Sequence, residues 1–426
     1  MYKRQLTRSA ARPSLGGGYE VDADYYEVSV PLMGGDVTLP FIASLVVDYS
    51  SRTIDNSIAG SYDVDATSLN WRVMDDLAIR VSEQTAVKAP DLGDLFLPQI
   101  TTFSTAADPC DYRYRDVGRN PEQRRANCDA EGIPADFISN VVNATAQGVT
   151  GGNPNLINEV ADTKSTGLVY QPSWWGDVLF GSASFAVDYI EIELTDYVTS
   201  YSLTQNMNAC YDYDTYPNSQ FCDSFSRDAE FQVDDFATGL INAGLIDFAT
   251  YVWKADWAFD VSELASFVSR ENVAMDLGSM AIRYRATQED FFASADSGAA
   301  EDLRSATGQF GNDEWFYDTQ FEWAYQDWYV YVQGNSRSGG VIDIDRVYDD
   351  EYLGYDGQPI FEFDGYTSWN GGVGYRVNDG TTLRVNVSNL FDYDGTEDDV
   401  FTPEADLLFY GRSVSYTHLT LPTKSS

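Results

Sequence analysis

Histidine is almost missing from this chain of 426 residues: His418 is the only one. Histidine triads, histidine-ligated metal centres and a histidine pH switch are thereby nearly excluded. Basic residues are scarce as well, with 26 Lys+Arg against 67 Asp+Glu and a formal net charge of −41. Electrostatic binding of nucleic acid needs a basic face, and no Lys/Arg cluster stands among these acids, so no nucleic-acid partner is expected. The longest apolar runs, such as FIASLVV, are too short to cross a bilayer as a helix. The opening MYKRQLTRSAARPSLGGG lacks the apolar centre of a signal peptide.

Cysteine is sparse, with four residues in two local pairs. Cys110 and Cys128 enclose an Arg-rich polar interval, and Cys210 and Cys222 enclose YDYDTYPNSQF. Neither spacing is CxxC, and no histidine is near to complete a zinc site. Two disulfides stapling long exposed loops fit this pattern, each worth ~3 kcal/mol through loop closure, and they imply an oxidising compartment. Four free thiols are the alternative. The acids read as a solvated surface, with attraction of cationic or metal-bearing ligands as the second reading. DYDGTEDD (392–399) lacks the spacing and closing Glu of a calcium loop, so it reads as an acidic turn. Carboxylate pairs can be picked at will from so many acids and carry no information about glycoside hydrolysis. No enzymatic activity, cofactor or metal site is expected.

Aromatics are plentiful at 14%. In WFYDTQFEWAY, Trp315, Tyr317, Thr319, Phe321, Trp323 and Tyr325 share one face, and the opposite face is mostly polar. That period of two predicts a strand of ~35 Å, longer than most soluble strands. LRVNVSN repeats the pattern, with Leu383, Val385 and Val387 opposed to Arg384, Asn386 and Ser388. WAFDVSEL and VAMDLGSMAIRYRA are further strand candidates. In SFAVDYIEIELTDYV the apolar set changes phase, from Phe185, Val187 and Tyr189 to Ile190, Ile192 and Leu194, which requires a bulge or a change of environment. Connections alternate between tight turns, as at Asp327, and a polar stretch of about seventy residues from Phe96 to Thr166. Long amphipathic strands with short turns at one end, long loops at the other and aromatics near strand ends predict an all-β, antiparallel transmembrane β-barrel. A secreted β-sandwich adhesin or carbohydrate-binding protein is the soluble alternative.

Several segments together resemble a known family. AVKAPDLGDLFLPQ (86–99), followed by an Asp-Pro-Cys-Asp loop, resembles the barrel of TonB-dependent outer-membrane receptors, where an Arg/Lys-Ala-Pro motif leads into a long loop. TGLVYQPSW (166–174) and FAVDYIEIEL (185–194) are similar to the strand pair that follows. TTLRVNVSNLFDYD (381–394) is similar to the penultimate strand with its Asn-Leu-Phe-Asp turn, and YEVSVPL and LNWRVMDDLAIRVS match upstream strands in spacing. Lys88 stands where arginine is usual.

The resemblance implies an incomplete barrel of about fourteen strands out of roughly 22, without the plug and TonB box. It also implies a Gram-negative outer membrane, with outer-membrane lipid and lipopolysaccharide as surroundings. The expected partners are the TonB energy-transducing complex, acting through the N-terminal region, and a small-molecule or oligosaccharide ligand. Energised uptake of a scarce solute, such as a carbohydrate or metal chelate, is the expected function. A passive porin-type barrel is the alternative. Ligand-binding residues are not assigned, although the aromatic loop NACYDYDTYPNSQFCDSF offers rings that either stack on a ligand or only pack.

The two ends share a further feature. MYKRQ back-translates to GTG TAT AAG AGA CAG, whose reverse complement, read two bases on, encodes Val-Ser-Tyr-Thr and opens a His codon. That matches 414–418 and resembles a sequencing-library adapter. Residues 1–5 and 414–426 are therefore expected to be adapter-derived, with 6–413 as the partial barrel and LLFYGRS (407–413) entering its last strand. His418 then has no functional role.

Overall fold

The computed structural model describes residues 16–34, 39–295, 303–309, 311–341, 362–391, 393 and 416–420. The first strands are β1 (Val21–Met33), β2 (Ser44–Asn56), β3 (Gly60–Met74), β4 (Leu77–Lys88), β5 (Ile100–Ser104) and β6 (Ala146–Gly151). Next come β7 (Glu159–Tyr170), β8 (Ser182–Ser200), β9 (Phe225–Arg227), β10 (Val233–Asp260), β11 (Ser279–Ala295) and β12 (Arg304–Ser305). The last are β13 (Trp315–Tyr325), β14 (Trp328–Arg337), β15 (Gly340–Val341), β16 (Glu362–Phe363), β17 (Tyr366–Asn378), β18 (Thr381–Val387) and β19 (Tyr416–Thr420). Five helices interrupt them: α1 (Leu92–Phe96), α2 (Pro121–Glu131), α3 (Trp175–Val178), α4 (Leu203–Tyr211) and α5 (Val261–Ser269).

A 17-stranded sheet takes in every strand except β15 and β16, which pair with each other. Its wall is an antiparallel meander in the order β1-β2-β3-β4-β7-β8-β10-β11-β13-β14-β17-β18-β19. No described pairing joins β1 to β19, so the sheet is an open wall, as an incomplete barrel requires. A single sheet, not two packed sheets, carries the architecture.

Register separates the two faces of the wall. One row across neighbouring strands reads Ser184, Asp256, Arg283, Gln320, Gln333, Asn370. The adjacent row, on the other face, reads Ala183, Trp257, Ile282, Phe321, Val332, Gly371, Val387. Alternation that is apolar outward and polar inward is what a lipid-facing exterior and a wet lumen demand. Ion pairs lace the polar face: Arg283 with Glu322 at 2.9 Å, Arg285 with Asp256 at 2.8 Å, and Arg80 with Asp188 at 2.7 Å. Arg80 and Asp188 lie on β4 and β8 and reach each other across Gly167 of β7. A Cβ at Gly167 would sit 2.1 Å from Asp188 Oδ1, so glycine is needed for that bridge.

The ends of the wall differ. Residues 75–76, 326–327 and 379–380 make tight turns at one end, where 171–181 and 261–278 carry α3 and α5. At the other end 89–158 and 201–232 form long folded loops, with a shorter crossing at 57–59. In barrels of this kind short turns are periplasmic and long loops extracellular. Aromatics rim both levels: Trp323, Tyr325, Trp328 and Tyr375 near the tight turns, Tyr189, Tyr251, Trp315 and Tyr317 towards the long loops.

Two expectations are corrected, and one open choice is decided. The phase change in β8 is a change of environment and not a bulge, because its register with β7 runs unbroken from Val160↔Thr195 to Tyr170↔Phe185. Beyond Tyr189 the outward residues become Glu191 and Glu193, beside Lys164, Asp162 and Asp247, while Ile190, Ile192 and Leu194 turn inward. The strand has left the lipid there, and its outer face is in water. For the same reason the loop expected from Phe96 to Thr166 ends early. β7 starts at Glu159, where both faces are wet and alternation gives no signal. WAFDVSEL is not one strand: β10 ends at Asp260, and Val261, Leu264 and Val268 continue at helical spacing in α5.

Of the two adapter-like segments, only 416–420 is among the described residues, where it runs antiparallel to Thr382–Asn386. LLFYGRS lies outside the described residues, as does all of DYDGTEDD except Tyr393. No described helix is long and apolar enough to cross a membrane.

Candidate ligand-capture site

The loops 89–158 and 201–232 fold together into a cap at the extracellular end. The motif 86–99 starts it. Lys88 ends β4 and its ammonium meets Glu159 at 2.5 Å, while Glu159 also accepts from the backbone N–H of Val198. Ala89 and Pro90 stop the strand, and Asp91 and Asp94 cap α1 reciprocally, each accepting from the other's backbone N–H. α2 begins at Pro121, whose missing N–H costs nothing in the first turn, and ends on Gly132 at φ 87°, the left-handed geometry that glycine supplies. Ser202 caps α4 in the same reciprocal way with Gln205. β5 pairs with β6, and β6 pairs in parallel with Ala237–Gly239 of β10, which seats the cap on the extension of the wall.

Cys110 is bonded to Cys128, and Cys210 to Cys222. The first bond ties the loop entry to α2, and the second ties the last turn of α4 to the segment before β9. Around them Ile133, Phe137, Tyr201, Tyr211 and Phe221 form a buried core. Asp108 and Asp111 of the Asp-Pro-Cys-Asp loop are both fully buried. The Arg227 guanidinium grips Asp108 with two bonds of 2.8 Å and donates to the Tyr211 hydroxyl at 2.9 Å, between the rings of Phe137 and Phe225. Arg124 binds Asp212 in the same bidentate way, and Asn127 donates to the carbonyls of Tyr211 and Tyr213. These contacts join the two loops to each other, and they engage the cap's buried arginines internally.

Burial would push the Asp111 carboxyl up, but hydrogen bonds from Arg113 and from the Ser139 backbone outweigh it and hold the group below its usual range. Burial pushes the Tyr211 hydroxyl well up and carries Tyr216 up to about 12, with Glu131 adding to both.

A cleft of about 790 Å³ opens between α2 and the segment after α4, lined among others by Asn120, Glu122, Gln123, Tyr213, Asp214 and Asn218. No Lys or Arg lines it. Most aromatics of NACYDYDTYPNSQFCDSF turn out to pack: Tyr211 stacks on Tyr216, and Phe221 on Tyr201. Tyr213 is the tyrosine of that loop on the cleft. The cysteines and aromatics of the cap were visible in the sequence. The Asp108–Arg227 pair, 119 positions apart, was not, and no local signal would have found it. Among the described residues no set of three His, Cys, Asp or Glu side chains converges as a metal site.

An antiparallel wall with one apolar, aromatic-rimmed face, tight turns below and a folded cap above defines a transmembrane β-barrel segment. A family model described as TonB dependent receptor-like, beta-barrel, matches residues 5–390, and the chain belongs to that family. Barrels of this family lie in the Gram-negative outer membrane, and so does this wall. Among solved structures, the siderophore receptor PirA from Acinetobacter baumannii is similar at 13% identity and TM-score 0.52, over 89% of this chain and 43% of that one. A ferric enterobactin receptor variant from Pseudomonas aeruginosa, in complex with enterobactin, is similar at 12% identity and TM-score 0.52, over 88% of this chain and 40% of that one. The likeness is one of fold, and the chain spans about two fifths of the length of those receptors. No curated protein matches the chain.

Proposed function

We propose that the chain forms part of the barrel wall and the outer mouth of a receptor for energised, TonB-linked uptake of a scarce solute. The observation that carries this reading is the open cleft on a disulfide-stapled cap set over a barrel wall. The TonB complex would act through the plug and TonB box that the family carries ahead of the barrel. Of the two solute classes expected, the cleft favours the carbohydrate. Amides and a tyrosine ring suit hydroxyl-rich ligands, and the carboxylates of Glu122 and Asp214 repel an anionic metal chelate.

Isothermal titration calorimetry with neutral oligosaccharides and with a ferric catecholate tests the class. Oligosaccharides should bind, and Tyr213→Ala should weaken them up to about tenfold, the scale of one ring contact. Binding of the chelate alone would reverse the class, and binding of neither would remove the cleft as the capture site. Uptake that persists in cells lacking the TonB complex would favour a passive porin-type barrel instead. The adapter origin proposed for 1–5 and 414–426 rests on the codon complementarity of the two ends. Sequencing the parent DNA across both junctions tests it.

A further inference from the structure

At the tight-turn end, two short helices continue the lipid-facing surface past the ends of the strands. Trp257 and Phe185 belong to the apolar face of the wall. Trp175, at the start of α3, lies 5.5 Å from Phe185 and 6.1 Å from Trp257, ring centre to ring centre. Phe180 packs on Trp257 at 4.8 Å and accepts the indole N–H through its carbonyl at 3.0 Å. Phe267 of α5 then packs on Phe180 at 5.4 Å. The loop that carries α5 closes back on the wall, where the Val261 N–H donates to the carbonyl of Gly278 at 2.8 Å.

α5 is strongly two-sided. Val261, Leu264, Ala265, Phe267 and Val268 share one side, and Ser262, Glu263, Ser266 and Ser269 the other. Ser262, Glu263 and Ser266 line a cleft against the turn that follows α3. Phe267 borders that cleft with one edge, but the outer part of the apolar side is bare: Phe267 is 51% and Val268 73% exposed, with Trp174 just before α3 and Val178 at its end exposed too. Rings and aliphatic side chains left bare in this way, continuous with a lipid-facing band, need a cover.

We propose that α3 and α5 form an interfacial platform embedded in the periplasmic leaflet of the outer membrane, with the lipid bilayer covering the apolar side of α5. The assignment rests on the reading of the wall's apolar face as lipid-facing. A helix of this amphipathicity with one acidic residue on its wet side lies in the plane of the interface, its apolar face among the acyl chains. The platform fixes the depth of the wall on the side away from the cap, where tight turns alone offer little grip.

Site-directed spin labelling of the full chain in phospholipid vesicles tests this. All four native cysteines are bonded, so one introduced thiol takes the label. Labels at Val268→Cys, at Ser266→Cys and at the wall position Phe321→Cys are compared by relaxation with oxygen and with a water-soluble nickel chelate. Val268 should match Phe321, relaxed by oxygen and shielded from nickel, whereas Ser266 should be open to nickel. Phe321 in lipid with Val268 in water would overturn the platform and leave the wall standing. Phe321 and Val268 both in water would overturn the wall reading and the platform with it. Equal lipid exposure at Val268 and Ser266 would overturn the interfacial orientation.

Discussion

Arg227 and Asp108 show how single side chains govern the cap. Both are buried, and each satisfies the charge of the other. Arg227→Met should leave Asp108 as an uncompensated buried carboxylate, at a cost of about 3–5 kcal/mol. Loss of the near-UV circular dichroism of the cap and rapid proteolysis within 89–158 would report it, and adding Asp108→Asn should restore part of the loss. An intact cap in the single variant would show that the pair does not hold the loops.

Tyr211 and Tyr216 set an alkaline limit on the same unit. Their folded pKa values lie above the usual value near 10, so the unfolded chain releases these protons first. The cap should keep its full stability below pH 10 and lose it as pH climbs through about 12. Tyr216→Phe should make that decline shallower, as followed by circular dichroism. A flat profile across this range would contradict the assigned burial.

At the scale of the element, the wall strands were legible wherever they cross lipid. WFYDTQFEWAY and LRVNVSN alternate because one face meets acyl chains and the other water. The start of β7 was not legible, because water on the outside removes the contrast between faces, and in the upper part of β8 the alternation was visible but not which solvent each face meets. The contrast itself can be tested. Phe321→Arg on the lipid face should cost about 2–4 kcal/mol in urea-dependent folding into vesicles. Gln320→Arg, one residue away and facing the lumen, should cost little. Equal costs would mean that the two faces are not in different solvents. α5 carries the opposite lesson. WAFDVSEL reads as a strand by its first residues, and only the spacing of Val261, Leu264 and Val268 reveals the switch to a helix.

At the scale of the whole molecule, the open wall has two edges that are unpaired among the described residues, β1 and β19, the second formed by the adapter-like segment. Free N–H and C=O groups along an edge in a membrane are costly and invite pairing with another chain. The chain by itself should therefore associate edge to edge in lipid, and cross-linking in vesicles should give dimers and larger species. A monomeric, heat-modifiable, protease-resistant barrel would overturn this expectation.

The sequence by itself determined the wall, because the backbone period of two writes the solvent of each face into neighbouring residues. It also placed the cysteines in local pairs, since each partner lies within a single loop. Only the tertiary structure decided what the loops become. Asp108 meets Arg227, Arg124 meets Asp212, and Tyr211 and Phe221 turn inward while Tyr213 stays on the cleft. Those contacts join segments far apart in the chain, and local periodicity carries no trace of a partner it never meets until the cap is folded.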